Sequence, residues 1–194
     1  MQNNQNMTDF VMGLLRANLP ENYLYHNPEH TLYVIEKAME IGRQEKCTDE
    51  ELEFIRVAAL WHDTGYTKTY KDHEEQSCIL ARHYLPQYGY EAEYIDRICD
   101  MIMVTKIPQL PKNKLEEILA DADLEYLGTE DFEIKSDCLF KELQSVKPSY
   151  TIAEWNKAQI SFIRSHHYFT RYCQENKDPI KQEHLLKLEL KAAK

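Results

Sequence analysis

The sequence contains few of the residues that interrupt regular secondary structure. Only 5 of its 194 residues are glycine and 7 are proline. All-β sandwiches and barrels turn often and use these residues at their turns. The scarcity therefore argues against an all-β fold and favours long helices. Hydrophobic residues make up 43% of the chain and charged residues 29%, which is typical of a packed globular protein and too apolar for a disordered one.

Two kinds of hydrophobic segment are also missing. No run approaches the roughly 18 consecutive apolar residues of a transmembrane helix. The first ten residues, MQNNQNMTDF, lack the basic start and apolar core of a signal peptide.

The five cysteines are odd in number and never spaced as C-x-x-C, a pattern typical of reduced thiols rather than of a disulfide framework or a zinc knuckle. We therefore expect a cytoplasmic protein with no membrane partner.

The chain contains fewer basic than acidic residues. The chain carries 23 Lys and Arg against 33 Asp and Glu, a formal net charge of −10. Because an acidic surface repels phosphate backbones, binding to duplex nucleic acid or to an anionic membrane is disfavoured. A small phosphorylated substrate is still compatible with this charge, since a bound cation can reverse the local field.

Helix start signals recur along the chain. Asn27 followed by Pro28 predicts an N-cap and first turn, with the helix reaching about Glu45. Gly128 is predicted to end a later helix as a left-handed C-cap. No alternating valine and isoleucine run demands a sheet, and no repeat or linker divides the chain, so the sequence predicts one all-α helical bundle. Capping boxes predict helices from Thr48 with Glu51 to Trp61 and from Thr151 with Glu154 to Ile163. Asp72 with Glu75 predicts a helix that Pro86 stops, and Asn113 with Glu116 predicts one that Gly128 closes. Two further helices are expected at about Glu91 to Val104 and at Pro179 to Ala193.

Four separated residues are candidate metal ligands. The pair His62–Asp63 ends an apolar segment, AALWHDTGY, at the point where Gly65 breaks the helix. His30 lies in the first turn of the helix that Pro28 begins. Asp123 lies on a helix face that should be buried, where a charged carboxylate is costly unless it is paired or binds a cation. Each histidine alone is more often an ordinary core residue.

Together, two imidazoles and two carboxylates can hold one divalent ion and leave positions open for water and a phosphate oxygen. Such mixed nitrogen and oxygen ligands suit Mn²⁺, Mg²⁺ or Fe²⁺, with Zn²⁺ as a further option, rather than a closed zinc site. Asp121 competes with Asp123 for the ligand role and is otherwise expected to cap or orient a neighbour.

The segments YHNPEHTLYV, ALWHDTGY, DHEEQSC, MIMVTK and LADADLEYLG, in this order, resemble the HD superfamily of metal-dependent phosphohydrolases. The resemblance implies a single HD-type domain over residues 1–194, with a motif-bearing core at about 22–128 and carboxyl-terminal helices at about 130–192. It also implies a metal site and hydrolysis of a small phosphorylated molecule, with a nucleotide as the favoured class. The implied ligands are His30, His62, Asp63 and Asp123.

The resemblance extends to candidate catalytic residues. Tyr25-His26-Asn27 followed by His30 is similar to a segment of cyclic-nucleotide phosphodiesterases whose first histidine protonates the leaving oxygen. His26 is therefore the candidate general acid, because an imidazole titrates close to neutral pH. Lys68, which follows the His62–Asp63 pair, is a candidate for neutralising a phosphate, although a solvated lysine is the commoner state. Asp63 is counted both as a ligand and as a catalytic residue.

Three other functions stay open at this point. They are a cyclic-nucleotide-type phosphodiesterase, a di-iron oxygenase on the same scaffold, and a non-catalytic nucleotide-binding signalling domain. Thr105 stands near where many relatives have a histidine, which weighs against a second tightly held metal. His73 is the residue that would contribute to one, although a capping role for it is equally compatible with the sequence.

Overall fold

Side-chain caps begin most of the helices that surround the candidate site. The structure is a computed structural model that describes residues 2–192, and within that range it contains helices and no strand, which confirms the predicted all-α fold. The α-helices are α1 (Gln2–Asn18), α2 (Pro28–Gln44), α3 (Asp49–Trp61), α4 (His73–Tyr84), α5 (Ala92–Met103), α6 (Lys114–Asp123), α7 (Phe132–Val146), α8 (Ile152–Ser165), α9 (Arg171–Asn176) and α10 (Asp178–Ala192), with 3₁₀ turns at Thr64–Thr67, Leu85–Tyr88 and Glu125–Gly128.

The predicted caps of α2 and α3 are present. The Asn27 side chain accepts the backbone N–H of His30 at 2.9 Å, and Pro28 occupies the first helical position. Thr48 and Glu51 form the reciprocal capping box at the start of α3. These caps set the two helices that carry the candidate ligands, with His30 in the first turn of α2 and His62 directly after the last residue of α3. Thr151 and Glu154 form the same box at α8. The predicted helix end at Ala193 lies outside the described residues.

The core is divided into two hydrophobic clusters. The larger cluster joins α1 to α6 around α3, whose residues from Val57 to Trp61 are all fully buried. The smaller cluster joins the turn after α6 to α7 and α8 through Tyr126, Phe132 and Ile163. The candidate pocket borders the smaller cluster. In the described part of the chain, no helix combines the length and the apolar character that a membrane crossing requires.

Asp121 connects the two halves of the chain. Its fully buried carboxylate accepts the backbone N–H groups of Phe169 and Thr170, at 2.9 and 2.8 Å, and the Thr170 hydroxyl at 2.6 Å. Burial raises the pKa of Asp121 to about 6, although these hydrogen bonds act in the opposite direction. The carboxylate therefore anchors the segment that precedes α9.

One predicted side-chain cap and one predicted helix end were wrong. Asp72 precedes α4 but adopts a left-handed conformation (φ 53°) and does not cap the helix; its carboxylate accepts a hydrogen bond from Lys106 instead. Helix α6 ends at Asp123, and Gly128 lies in a later 3₁₀ turn without a positive φ. Only glycine fits at position 128, because a β-carbon there would lie 2.4 Å from the Lys177 carbonyl oxygen.

We predict that Gly128→Ala lowers the free energy of unfolding by roughly 1–3 kcal/mol, since backbone must move to admit the methyl group. The matched control is Gly13→Ala in α1, where an added β-carbon meets nothing within 4 Å. This control should stabilise the protein by about 0.5–1 kcal/mol, as expected for alanine in a helix. Urea denaturation of both variants tests the pair, and equal stability of the Gly128→Ala variant and the wild type would contradict it.

Candidate metal centre and adjoining pocket

The ends of three helices bring the four predicted ligands together. His30 comes from the start of α2, His62 and Asp63 follow the end of α3, and Asp123 is the last residue of α6. Ligand atoms of His30, His62 and Asp123 all lie within 4.8 Å of one another. Asp63 Oδ2 lies 3.1 Å from His62 Nε2 and 3.4 Å from His30 Nε2. The residues therefore form one compact cluster.

His30 Nε2 and Asp123 Oδ1 form a hydrogen bond of 3.2 Å, whereas two other ligand atoms of the cluster are left free. The Nδ1–H of His62 donates to the Ala59 carbonyl at 2.7 Å, so the lone pair of neutral His62 is on Nε2. Neither His62 Nε2 nor Asp63 Oδ2 makes a hydrogen bond, although both atoms are buried. A histidine ligand held through its second ring nitrogen is the usual arrangement in metal sites. The two unpartnered atoms and the mixed donor set fit a divalent ion.

Charge within the cluster keeps the carboxylates ionised. Burial alone would raise the pKa of Asp63, but the charge of the neighbouring His62 holds it well below its usual value. Burial also disfavours the charged form of His62, yet the carboxylates of Asp63 and Asp123 outweigh it and raise the pKa of His62 well above its usual value. The cluster thus attracts positive charge, and a cation must compete with a proton on His62.

Contacts with helix α4 hold the turn that follows His62. The Gly65 N–H donates to Ser77 Oγ at 2.8 Å, and the Ser77 hydroxyl donates to the His62 carbonyl at 2.5 Å. A β-carbon at Gly65 would lie 1.9 Å from the His73 carbonyl oxygen. Helix α4 therefore packs directly on this turn, and only glycine permits that approach.

His26 lies beside the cluster and is held by a buried glutamate. Its Nδ1 is 2.5 Å from Glu142 Oε1, while Glu142 Oε2 accepts the backbone N–H groups of Tyr25 and His26 at 2.8 and 3.0 Å. On the other side of the ring, Nε2 lies 3.1 Å from the Tyr66 hydroxyl. Burial opposes the charge on His26, but the hydrogen bond from its ring to Glu142 outweighs this, and the pKa of His26 is above its usual value.

The other residues considered from sequence fall in different places. His73 Nε2 lies 3.4 Å from Asp63 Oδ1, and its ring stacks on Tyr66 with centroids 3.8 Å apart. Thr105 lines the cavity next to the cluster, and its hydroxyl donates a hydrogen bond to the Ile102 carbonyl. Lys68 is exposed and is not among the residues that line the pocket, so its proposed role stays a prediction.

Glu142 is the site residue that sequence reasoning missed. It lies near the end of α7, in a helix with many charged residues, and 116 positions separate it from His26. Its fully buried side chain distinguishes it from the surrounding glutamates, but no spacing or motif marks that burial in the sequence.

A cavity of about 280 Å³ opens from the cluster. Its inner end is polar and includes His26, Asp63, His73, Glu74 and Asp123. Its outer wall is apolar and comes from the turn after α6 and from α7 and α8: Leu124, Leu127, Leu139, Trp155, Ala158, Phe162 and Ile163. The site therefore combines a polar reaction end with an apolar chamber.

A helical bundle with a buried histidine and carboxylate cluster at three helix ends is a fold that can hold a divalent metal. Residues 28–127 match the model of the HD domain family. Because this match covers just over half of the chain, the protein belongs to the HD domain family, in agreement with the resemblance of its motifs. That family belongs to the metal-dependent phosphohydrolase superfamily.

One solved structure supports the fold. A predicted HD superfamily hydrolase from an uncultured Thermotogales bacterium is similar over 95% of this chain and 91% of its own, with a TM-score of 0.61 and 20% sequence identity. At that identity the likeness concerns the fold alone. No curated protein sequence matches the chain.

We predict that Mn²⁺ raises the melting temperature of the wild-type protein and not that of His62→Ala. A ligand present at a hundredfold excess over its Kd stabilises the folded state by about 2.7 kcal/mol. The effect should grow from pH 6 to pH 8, because the metal must displace a proton from His62. Thermal melts with and without the metal measure the effect. The matched control is His83→Ala, an exposed histidine on α4, and an equal response in both variants would contradict the site.

Proposed function

We propose that this protein is a divalent-metal-dependent phosphohydrolase that acts on an ester or anhydride of a small phosphorylated molecule. The observation that carries the proposal is the convergence of His30, His62 and Asp123, with Asp63 within 3.4 Å of both imidazoles, beside a histidine held in place by a glutamate. Two of the ligand atoms are buried and unpartnered. A small nucleotide is the substrate class implied by the resemblance to the HD superfamily. It is supported by family membership rather than by a base-binding contact.

His30, His62, Asp63 and Asp123 would hold the metal. Their donor set suits Mn²⁺, Mg²⁺ or Fe²⁺, with Zn²⁺ as a further option. A divalent ion at such a site supplies charge neutralisation for a phosphoryl oxygen and lowers the pKa of a water ligand toward neutrality. His73, at 3.4 Å from Asp63 Oδ1, would orient that carboxylate from the opposite side.

His26 would act as the general acid. Glu142 accepts the Nδ1–H, which leaves the Nε2–H of the protonated ring directed toward the Tyr66 hydroxyl at the pocket wall. During hydrolysis a water oxygen forms a bond to phosphorus and gives up a proton to solvent, the bond from phosphorus to the leaving oxygen breaks, and His26 Nε2 delivers its proton to that oxygen. The raised pKa of His26 keeps this proton available near neutral pH.

The direct test is hydrolysis by the metal-loaded protein of a panel of phosphate monoesters, nucleoside mono- and triphosphates and cyclic nucleotides. We expect metal-dependent release of phosphate or nucleotide, lowered by more than about a hundredfold in His62→Ala and Asp63→Asn because a ligand is lost. His83→Ala should retain wild-type turnover. Activity that persists in both ligand variants would refute the proposal, as would bound iron with oxygen consumption or nucleotide binding without turnover.

We predict that Glu142→Gln shifts the basic limb of the pH profile of kcat/KM to lower pH. The carboxylate stabilises protonated His26, so its loss lowers the pKa of His26 and depletes the acid form as pH rises. The rate should therefore fall by about tenfold or more at pH 8 and by less at pH 6.

Glu133→Gln is the matched control, because Glu133 lies on the same helix and is exposed. Glu142→Asp, which keeps the negative charge, should restore part of the limb. A uniform loss of rate with an unmoved basic limb would show that Glu142 has only a structural role.

A further inference from the structure

The cavity beside the candidate metal centre has a charge pattern that restricts the substrate. Among the described residues that line it, none is lysine or arginine, whereas three are carboxylates, Asp63, Glu74 and Asp123. A phosphoryl group next to a bound cation would be neutralised there. A second or third phosphate would extend into a chamber that offers no positive partner and would meet uncompensated charge repulsion.

The basic residues that lie close in sequence to the cavity-lining residues do not supply positive charge to the cavity. Lys106 stands between the two lining residues Thr105 and Ile107, but its Nζ binds the carboxylates of Asp72 and Glu75 at 2.9 and 2.5 Å. Lys68 is exposed and does not line the cavity.

The outer wall also offers few hydrogen bonds. Gln159 is the one amide among the lining residues of α8, and its amide nitrogen donates to Ser136 Oγ within the protein. The hydroxyls of Tyr25 and Tyr126 interact with each other. A polyhydroxylated group placed against Trp155 or Phe162 would lose its hydrogen bonds to water without replacement.

We propose that the substrate is a monoester carrying a single phosphoryl group and an apolar or aromatic alcohol portion. This inference rests on the proposed phosphohydrolase function and specifies its substrate class. The phosphoryl group lies at the polar end near His26, and the alcohol portion fills the chamber between α7 and α8, where it contacts Trp155 and Phe162. Burial of apolar surface in the chamber, which is part of a cavity of about 280 Å³, supplies the selectivity.

A series of alkyl phosphates from ethyl to hexyl tests the inference, because the leaving alcohols have nearly equal pKa values and differ in apolar length. We expect kcat/KM to rise by about two- to fourfold per methylene until the chamber is filled, as apolar burial predicts. Alkyl diphosphates of the same chain length, glycerol phosphate and nucleoside triphosphates should be poorer substrates than hexyl phosphate.

Variants test whether the chamber is responsible for the preference for longer alkyl phosphates. Phe162→Ala removes a chamber wall and should reduce the ratio of kcat/KM for hexyl phosphate to that for ethyl phosphate. Ile152→Ala is the matched control, since Ile152 lies on the same helix, is 56% exposed and does not line the cavity; its ratio should equal that of the wild type.

Intrinsic fluorescence gives a readout that needs no turnover. The chain has two tryptophans; Trp155 lines the cavity and Trp61 is fully buried in the core. Hexylphosphonate, which cannot be hydrolysed as an ester, should change Trp155 emission and bind more tightly than ethylphosphonate. The change should vanish in Trp155→Phe.

The possible failures are distinguishable. Hydrolysis of esters without dependence on chain length, or a preference for triphosphates, would overturn this inference and leave the phosphohydrolase proposal standing. Equal affinity for ethyl- and hexylphosphonate would overturn it as well. Failure of the metal-loaded protein to hydrolyse any phosphate ester would overturn the proposed function and this inference with it.

Discussion

The arrangement of the site depends on how two carboxylates and two imidazoles share one buried space. Ionised groups removed from water are costly unless opposite charge and hydrogen bonds compensate them. Here His62 lies within 3.1 Å of Asp63 Oδ2, yet His62 Nε2 and Asp63 Oδ2 complete no hydrogen bond. The protein therefore places a concentration of charge where its own groups compensate it only in part. A divalent cation would supply the remaining compensation, and the capped helix starts and the Gly65 turn hold the four groups close together.

Local sequence predicted the elements that carry the ligands because those elements are set by local interactions. The Asn27 cap and the Thr48 box involve residues three apart, and both formed as expected. Gly128 was misjudged because its role depends on Lys177, which is remote in sequence. Glu142 was missed for the same reason, since its partner His26 is 116 residues away. Helix α7 has no side-chain cap, and Thr170, which caps α9, was not used as a start signal. Neither helix was therefore placed individually within the expected carboxyl-terminal helices.

The matched family region and the rest of the chain contribute different parts of the site. Residues 28–127 contain all four candidate ligands. His26 precedes that region, whereas Glu142, Trp155 and Phe162 follow it, on α7 and α8. The same division separates the candidate metal ligands from the candidate proton donor and the apolar wall. Asp121 connects the two parts through its hydrogen bonds to Phe169 and Thr170.

The acidic character of the protein links metal binding to substrate binding. With a net charge of −10 and three carboxylates lining the cavity, the site on its own would disfavour a phosphate. His26, the candidate proton donor, has its own charge balanced by Glu142, so it adds little attraction. A divalent ion would reverse the field at the polar end alone, and the chamber beyond it would stay apolar and without cations. Phosphate affinity would thus follow metal occupancy, whereas the affinity for the alcohol portion would depend on the walls of α7 and α8.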